Sequence, residues 1–168
     1  LARYSGLDER YIHQTNLRIE HVHFCKELCR DEKKSVGRID SRYKYRDMIS
    51  VGETFEFDPS MAAIIPPYTS TFNDYIRSAL GYESDLVYEI LSMAVNRGWE
   101  YDGGRFPDTS EALREALAKN RYLKVYMGRG YYDLATPHFA AQYTMNHMDL
   151  SAETLENIKV YDYEAGHM

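Results

Sequence analysis

Two short stretches, YLKVYM at residues 122–127 and IKVYDY at residues 158–163, decide the fold class of this chain. Both are rich in β-branched and aromatic residues, which favour strands, and glycines follow each of them. Segments with helical periodicity stand before the first stretch and between the two. This order of helix, strand, helix and strand predicts an α/β fold in which the two strands run parallel.

Start signals for three helices surround these strands. They are, in chain order, Asp108 with Glu111 in the spacing of a capping box, Thr136 before Pro137 as an N-cap with a first-turn proline, and Ser151 before a short helix. We expect the first of these helices to end near Asn120 and the second near His147.

The first hundred residues have a different sequence pattern, which predicts mainly helices. Apolar residues recur at helical spacing in three segments, which are residues 5–14, 17–30 and 71–80. Residues 31–58 are interrupted by charges and glycines, which predicts an irregular segment with one short strand. We expect Pro66 and Pro67 to close the apolar stretch before the third helix, and residues 86–95 fit a helix and a strand equally well.

Composition and charge exclude several classes of function. Apolar residues make up 44% of the 168 residues and charged residues 27%, which is typical of a folded domain. The net charge is −6, so the chain lacks the basic character of a nucleic-acid binder. No apolar run approaches the roughly 20 residues that span a bilayer, so we expect no membrane insertion. The chain starts at Leu1 without a signal-peptide pattern, which predicts a processed or excised N terminus and leaves the localisation open.

Polar residues that follow the two predicted strands are the candidates for chemistry, because ligands of parallel α/β sheets bind outside the carboxyl ends of the strands. These residues are Asp133 and His167. An aspartate beside a histidine fixes the tautomer of the imidazole and stabilises the imidazolium that forms when the ring takes up a proton. The order of acid before histidine matches the last two members of the Ser, Asp, His order of α/β-hydrolases. The alternative is that Asp133 caps a loop and that His167 has no chemical role.

Longer stretches around these two residues resemble a known enzyme family. GYYDLATPHFAAQYTMNHM at residues 130–148 and YEAGHM at residues 163–168 resemble the C-terminal part of the serine carboxypeptidases, α/β-hydrolases that remove C-terminal amino acids from peptides. The segment from Asn16 to Arg42, which includes LRIEHVHFCKELCRDEKKSVGRIDSR, is similar to the cap, or insertion, region of bacterial members. The resemblance covers nearly the whole chain, and its DLATP and AGHM motifs are fairly specific.

The resemblance implies a fold, a site and a reaction. Residues 1–98 would form a mainly α-helical cap, and residues 99–168 the C-terminal part of the α/β-hydrolase core. Asp133 and His167 match the catalytic aspartate and histidine of the family, and Met168 matches the residue that borders the leaving-group side of the substrate pocket. The substrate would be a peptide, the reaction would need no metal or cofactor, and the family suggests an exported or periplasmic protein.

One member of the catalytic triad is missing from this sequence. None of the eleven serines has a glycine both two positions before and two positions after it, as a G-x-S-x-G nucleophile turn requires. In the family, the half of the fold that precedes the cap carries the nucleophile, the oxyanion hole and the groups that bind the substrate carboxylate. We therefore expect an excised piece that is inactive alone and that pairs with its N-terminal half or self-associates through its strand edges.

Other assignments stay open at this stage. The acid could be Asp162, which is next in line after Asp133. The parent could be a different α/β-hydrolase, such as an esterase or an aminopeptidase. A non-catalytic interaction module would also fit a chain that lacks the serine.

A helix face with His21, Cys25 and Cys29 could in principle offer ligands to zinc. Successive turns spread these three side chains over about 12 Å, which is too far for one tetrahedral ion, so a helix that faces the core is the better interpretation. The spacing of the two cysteines also argues against a disulfide between them.

Two further features have structural interpretations. GRIDSR at residues 37–42 places Arg38 and Arg42 around Asp40, and the two arginines could clamp a carboxylate. A local network of Asp40 and Arg42 that organises the irregular segment is favoured. Trp99, with Tyr101 and Gly103, is interpreted as a hinge between the two parts of the chain.

Overall fold

The computed structural model describes residues 1–100 and 107–168, and the hinge residues Tyr101 and Gly103 lie outside these ranges. In chain order the described elements are α1 (Ala2–Ser5), α2 (Glu9–Gln14), α3 (His21–Glu27), a 3-10 turn (Arg30–Glu32), β1 (Lys34–Val36), β2 (Lys44–Arg46), α4 (Pro59–Asp74), a π turn (Tyr75–Ala79), α5 (Met93–Gly98), α6 (Ser110–Lys119), β3 (Val125–Gly130), α7 (His138–Asn146), α8 (Ala152–Leu155) and β4 (Ile158–Tyr163). This mixture of helices with one parallel and one antiparallel sheet agrees with the predicted α/β class at a coarse level.

β3 and β4 form a two-stranded parallel sheet, as the sequence predicts, and its register pairs Arg129 with Asp162. β4 has the predicted bounds, whereas β3 begins three residues later than predicted and includes Gly128 and Gly130. Gly130 pairs with Tyr163 in the sheet, and another backbone segment passes so close to it that only a glycine fits. A Cβ at this position would lie 2.3 Å from the carbonyl oxygen of Gly166.

The helices between these strands follow their predicted start signals in part. α8 begins after Ser151, whose hydroxyl accepts a hydrogen bond from the amide of Thr154 at 3.2 Å, as predicted. α7 ends at Asn146, close to the predicted position, but its N-cap residue is Pro137. Thr136 does not cap this helix, because its side chain turns toward the candidate site instead.

The capping box predicted for α6 does not form. The carboxylate of Asp108 accepts a hydrogen bond from the amide of Ser110 at 2.9 Å. Glu111 pairs with Arg114 one turn later, at 2.7 Å, and does not reach back to the start of the helix. A charged partner at i+3 therefore competes successfully for the Glu111 carboxylate. The predicted end of α6 near Asn120 is confirmed.

The N-terminal helices are shorter than predicted. Asn16 and Leu17 have positive φ values of 51° and 63°, which interrupt the helical backbone, so α3 covers only His21–Glu27. Ser5 ends α1 and does not open a helix. Asp8 alone caps α2, where its carboxylate accepts hydrogen bonds from the first backbone amides.

Pro66 and Pro67 lie inside α4 and do not close an apolar segment, which corrects the prediction. The fixed φ of proline is compatible with a helix, but each ring removes one N–H donor and crowds the carbonyl four residues earlier, so the other contacts of α4 have to offset this cost. The helix predicted for residues 71–80 is the end of α4 together with the π turn. Of residues 86–95, only the last three belong to a helix, α5.

Residues 31–58 contain an antiparallel pair of strands, β1 and β2, where the sequence predicts a single strand. The register places Lys34 beside Arg46 and Val36 beside Lys44. A lone strand would leave its backbone N–H and C=O groups without partners, and the second strand satisfies them. The loop between these strands, residues 37–43, reaches the candidate site.

The buried core centres on Cys25, Cys29 and Val36, with Phe55 and Leu134 packed against it. Leu134 thereby anchors the segment after β3 on the same core as α3 and β1. Both cysteines are free thiols, as predicted, and burial is the main cause that raises the pKa of Cys25 to about 11. No helix within residues 1–100 and 107–168 combines the length and the apolar character needed to cross a membrane.

Candidate functional site

Asp133 and His167, predicted from the ends of the two parallel strands, lie in contact. Nδ1 of His167 is 2.8 Å from Oδ2 of Asp133. Asp133 lies in the turn after β3 and is 6% exposed, whereas the side chain of His167, after β4, is 43% exposed. The pair therefore has a buried carboxylate and an imidazole that reaches the surface.

Hydrogen bonds within its own turn hold the Asp133 carboxylate. Oδ1 accepts from the amides of Ala135 at 2.8 Å and Thr136 at 2.9 Å, and Oδ2 accepts from the Thr136 hydroxyl. Burial is the largest single influence and favours a raised pKa, but these bonds, together with the one from His167, outweigh it and lower the pKa of Asp133. Asp133 thus caps its loop, as the alternative hypothesis holds, and also binds His167.

The protonation of the His167 ring follows from these contacts. An ionised carboxylate only accepts hydrogen bonds, so Nδ1 of His167 carries the proton that joins it to Asp133. In the neutral ring, Nε2 then has a free lone pair. Within the described part of the chain, no hydrogen bond engages Nε2. This nitrogen can act as a base toward a group that approaches from solvent.

The loop between β1 and β2 holds both halves of the pair through its backbone. Leu134 donates its amide to the carbonyl of Arg38 at 3.0 Å, and His167 donates its amide to the carbonyl of Ile39 at 2.8 Å. Ser41 donates its amide to the carbonyl of Tyr132 at 2.9 Å. The loop therefore fixes the segment of Asp133 and the segment of His167 relative to each other. No pattern in the sequence indicated this role.

Asp40 and Arg42 form the local network that the sequence favours. The Arg42 guanidinium donates to both carboxylate oxygens of Asp40, at 3.0 and 2.6 Å, and these bonds are the main cause that lowers the pKa of Asp40. A third guanidinium nitrogen donates to the carbonyl of Glu164 at 3.0 Å, and the guanidinium lies 4.9 Å from the ring centre of Tyr132. With these partners in place, Arg42 connects three segments around the site, and this structural role accounts for its contacts.

Gly166 provides the close approach that brings His167 to this loop. A Cβ at Gly166 would lie 2.5 Å from the carbonyl oxygen of Ile39 and 2.5 Å from the Cβ of Asp40, and the first of these is backbone that cannot rotate away. We expect Gly166→Ala to lower the free energy of unfolding by about 1–3 kcal/mol, because overpacking displaces the chain. Urea unfolding of the variant measures this change.

Gly98→Ala is the matched control for this prediction, because apart from the adjacent residues and the backbone of its own helix no atom lies within 4 Å of a Cβ built at Gly98. Gly98 is the last residue of α5, and alanine is favoured over glycine in a helix by up to about 1 kcal/mol, so the free energy of unfolding of this variant should not fall. The Gly166 variant should also lose the hydrogen bond between His167 and Asp133, which NMR of the imidazole protons detects. If Gly166→Ala has the same stability as the wild type, the loop of residues 37–43 can move aside without cost and does not fix the site.

A cavity of about 310 Å³ opens beside the pair. Its lining includes Arg129, Asp133, Thr136, Tyr163, His167 and Met168. Met168 is 59% exposed and lies at this cavity, next to the imidazole. The substrate-binding role of Met168 stays a prediction.

Asp162, the second candidate for the acid, does not contact His167. Arg129 donates to both of its carboxylate oxygens, at 2.7 and 2.8 Å, and this guanidinium is the main cause that lowers the pKa of Asp162. Arg129 also donates to the side-chain oxygen of Gln142 at 2.8 Å, which ties β3 to α7. Asp162 therefore links β4 to β3 through Arg129, and Asp133 is the carboxylate that binds the imidazole.

No serine hydroxyl takes part in the site. All eleven serines lie in the described ranges, and none of them hydrogen-bonds His167. The only hydroxyl within hydrogen-bond distance of the ring in these ranges is that of Thr136, and it faces Nδ1. Nε2 of His167 has no hydroxyl beside it in residues 1–100 and 107–168.

His21, Cys25 and Cys29 do not form a metal site in this structure. Cys25 and Cys29 are buried in the core, whereas His21 is exposed. Across residues 1–100 and 107–168, no group of three or more His, Cys, Asp or Glu side chains has an arrangement that could hold a metal ion.

Comparisons with protein-family models, with curated proteins and with solved structures find no match for this chain. The function of the site is therefore inferred from its own geometry. That geometry consists of a buried carboxylate, a half-exposed imidazole oriented by it, and an adjoining cavity.

Proposed function

We propose that Asp133 and His167 are the acid and base of a serine-type hydrolase, a carboxypeptidase-like peptidase of the α/β-hydrolase class. The hydrogen bond of 2.8 Å between Nδ1 of His167 and Oδ2 of Asp133 is the observation that carries this proposal. It leaves Nε2 free, which is the nitrogen that accepts the proton of the nucleophile in such enzymes. The resemblance of the DLATP and AGHM motifs to serine carboxypeptidases supplies the substrate class, a peptide with a free C terminus.

In the proposed reaction, His167 transfers the proton and Asp133 stabilises the charged imidazolium. Nε2 of His167 takes the proton of a serine hydroxyl while the serine oxygen bonds to the carbonyl carbon of the peptide. The imidazolium that results is stabilised by the ionised Asp133. The proton then passes from Nε2 to the leaving amine as the C–N bond breaks, and water releases the acyl group from serine by the same route. No metal or cofactor takes part in these steps.

The serine itself is proposed to come from a segment outside these 168 residues, because none of the eleven serines lies at His167. The two-stranded parallel sheet supports this proposal. Parallel strands are normally paired and covered on both faces, and β3 and β4 pair only with each other in the described residues. A complementing N-terminal half would supply both the missing strands and the nucleophile. A second copy of this chain would cover the strand edges but would not bring a nucleophile.

A complementation assay tests the proposal. The 168-residue chain is assayed for release of the C-terminal amino acid from an N-blocked dipeptide, alone and together with the polypeptide that precedes it in its reading frame. We expect no turnover from the chain alone, and turnover sensitive to phenylmethylsulfonyl fluoride from the mixture, because attack requires the added serine. Sensitive turnover by the chain alone would contradict the origin of the serine, and an upstream sequence without a serine on a strand-to-helix turn would contradict the proposal as a whole. Cleavage of esters but not of peptides would indicate an esterase.

A further inference from the structure

The hydroxyl of Thr136 lies between the two members of the Asp–His pair. Its Oγ1 hydrogen-bonds Oδ2 of Asp133 and is 3.1 Å from Nδ1 of His167. Nδ1 and Oδ2 are themselves 2.8 Å apart, so the three atoms form a closed triangle. The backbone amide of Thr136 also donates to Oδ1 of Asp133, at 2.9 Å. Thr136 thus contacts both carboxylate oxygens and the ring.

Only one arrangement of protons satisfies all three atoms. The ionised carboxylate donates nothing, so Oδ2 has to receive protons from both neighbours. The Thr136 hydroxyl has one proton, which it donates to Oδ2, and its lone pair then faces Nδ1. That lone pair accepts from a protonated Nδ1 and would repel a bare one. The triangle therefore favours the tautomer of His167 with the proton on Nδ1 and the lone pair on Nε2.

Capping of α7, the role that the sequence predicts for Thr136, does not explain these contacts. The N-cap position of α7 is occupied by Pro137, and no side chain caps that helix. The hydroxyl of Thr136 bonds only the two side chains of the pair within the described residues. The position of the Thr136 hydroxyl is therefore explained by its bonds to Asp133 and His167.

We propose that Thr136 is a positioning residue, which holds the Nδ1–H tautomer of His167 by bonding Asp133 and His167 with one hydroxyl. This inference rests on the proposed function for its catalytic consequence. Its structural content, the selection of a tautomer, is independent of any activity. Thr136 does not touch the reacting atoms and acts through the imidazole.

The test measures the tautomer of His167 in the 168-residue chain by ¹⁵N NMR of its ring nitrogens, for wild type, Thr136→Val and Thr136→Ser. Valine keeps the shape of threonine without the hydroxyl, and serine keeps the hydroxyl. We expect wild type and Thr136→Ser to show the Nδ1–H form, and Thr136→Val to shift a measurable fraction to the Nε2–H form. The ¹³C signal of the Asp133 carboxyl should titrate at higher pH in the valine variant, because one bond to the charged form is lost.

Thr144→Val is the matched control, since the Thr144 hydroxyl bonds the carbonyl of Ala140 within α7 and does not touch the site. It should leave the His167 signals unchanged. Thr136→Ala provides a second removal of the hydroxyl if valine disturbs the fold, and backbone amide spectra report folding for each variant. Unchanged tautomer and unchanged Asp133 titration in a folded Thr136→Val or Thr136→Ala chain would overturn the inference.

The two proposals fail in different ways. In the complemented enzyme, Thr136→Val should lower kcat by about tenfold or more with KM unchanged, and Thr136→Ser should restore most of it, because the base is misoriented without the hydroxyl. A tautomer shift in the chain without any hydrolysis in the complemented mixture would support the positioning role and contradict the proposed function. Hydrolysis in the complemented mixture without a tautomer shift in the Thr136→Val chain would support the proposed function and contradict the positioning role of Thr136.

Discussion

Asp133→Asn should lower the turnover of the proposed hydrolase, complemented by its N-terminal half, by about 10⁴-fold. The amides of Ala135 and Thr136 both donate to Oδ1, so they fix the oxygen of the new asparagine on that side. Its NH₂ group then replaces Oδ2 and points at Nδ1 of His167. A donor at this position requires Nδ1 to accept, which moves the ring proton to Nε2 and removes the base. The rate of amino-acid release at saturating substrate measures the loss.

Asp162→Asn is the control for this substitution, because Asp162 pairs with Arg129 and does not contact the imidazole. We expect it to retain turnover close to that of the wild-type protein. The result that would contradict the assignment is near-normal turnover of Asp133→Asn together with a large loss in Asp162→Asn. That outcome would transfer the acid role to Asp162.

The second large effect concerns stability and lies away from the site. Nζ of Lys26, in α3, donates to Oδ2 of Asp47 at 2.8 Å and to the carbonyl of Ile49 at 2.6 Å. The two side chains are only 2% and 4% exposed. Lys26→Met leaves the Asp47 carboxylate buried without its cation, so we expect the free energy of unfolding to fall by about 3–5 kcal/mol. Since domains are typically stable by about 5–15 kcal/mol, urea unfolding should show a large shift in midpoint.

Two further variants separate the buried charge from other effects. Lys34→Met removes a lysine that is also 2.8 Å from a carboxylate, that of Glu32, but on the surface, and it should change the stability little. The double variant Lys26→Met with Asp47→Asn removes both buried charges and keeps an acceptor for the Glu56 amide, so it should recover a large part of the loss. If Lys26→Met and Lys34→Met have equal effects, burial of the pair does not matter for stability.

Local sequence patterns predicted the parts of the structure that depend on neighbouring residues. The β-branched and aromatic run of β4 and the hydroxyl of Ser151 before α8 are sufficient to define those elements. Strand order predicted that Asp133 and His167 could meet, because parallel strands deliver their carboxyl ends to one edge, and the resemblance to serine carboxypeptidases favoured the pairing that the structure contains.

The remainder of the site depends on segments that are distant in sequence. The carbonyls of Arg38 and Ile39 bind the backbones beside Asp133 and His167, and no spacing rule reports backbone bonds between remote segments. Two glycines were the only sequence features that could have indicated these contacts between remote backbones. Gly130 and Gly166 mark the places where one backbone passes close to another, whereas their positions in the sequence predict only that a strand ends nearby.

The bonds around the β1–β2 loop also bear on when the site forms. The guanidinium of Arg42 and the carbonyl of Glu164 that it binds are 122 positions apart. Contacts of such high contact order carry a large loop-closure entropy and slow the folding of a chain. Because the β1–β2 loop bonds the backbone on the Asp133 side and on the His167 side, we expect the imidazole to be fully oriented only when residues 37–43 have docked. Chemistry at this pair would then be confined to molecules that have completed their tertiary structure.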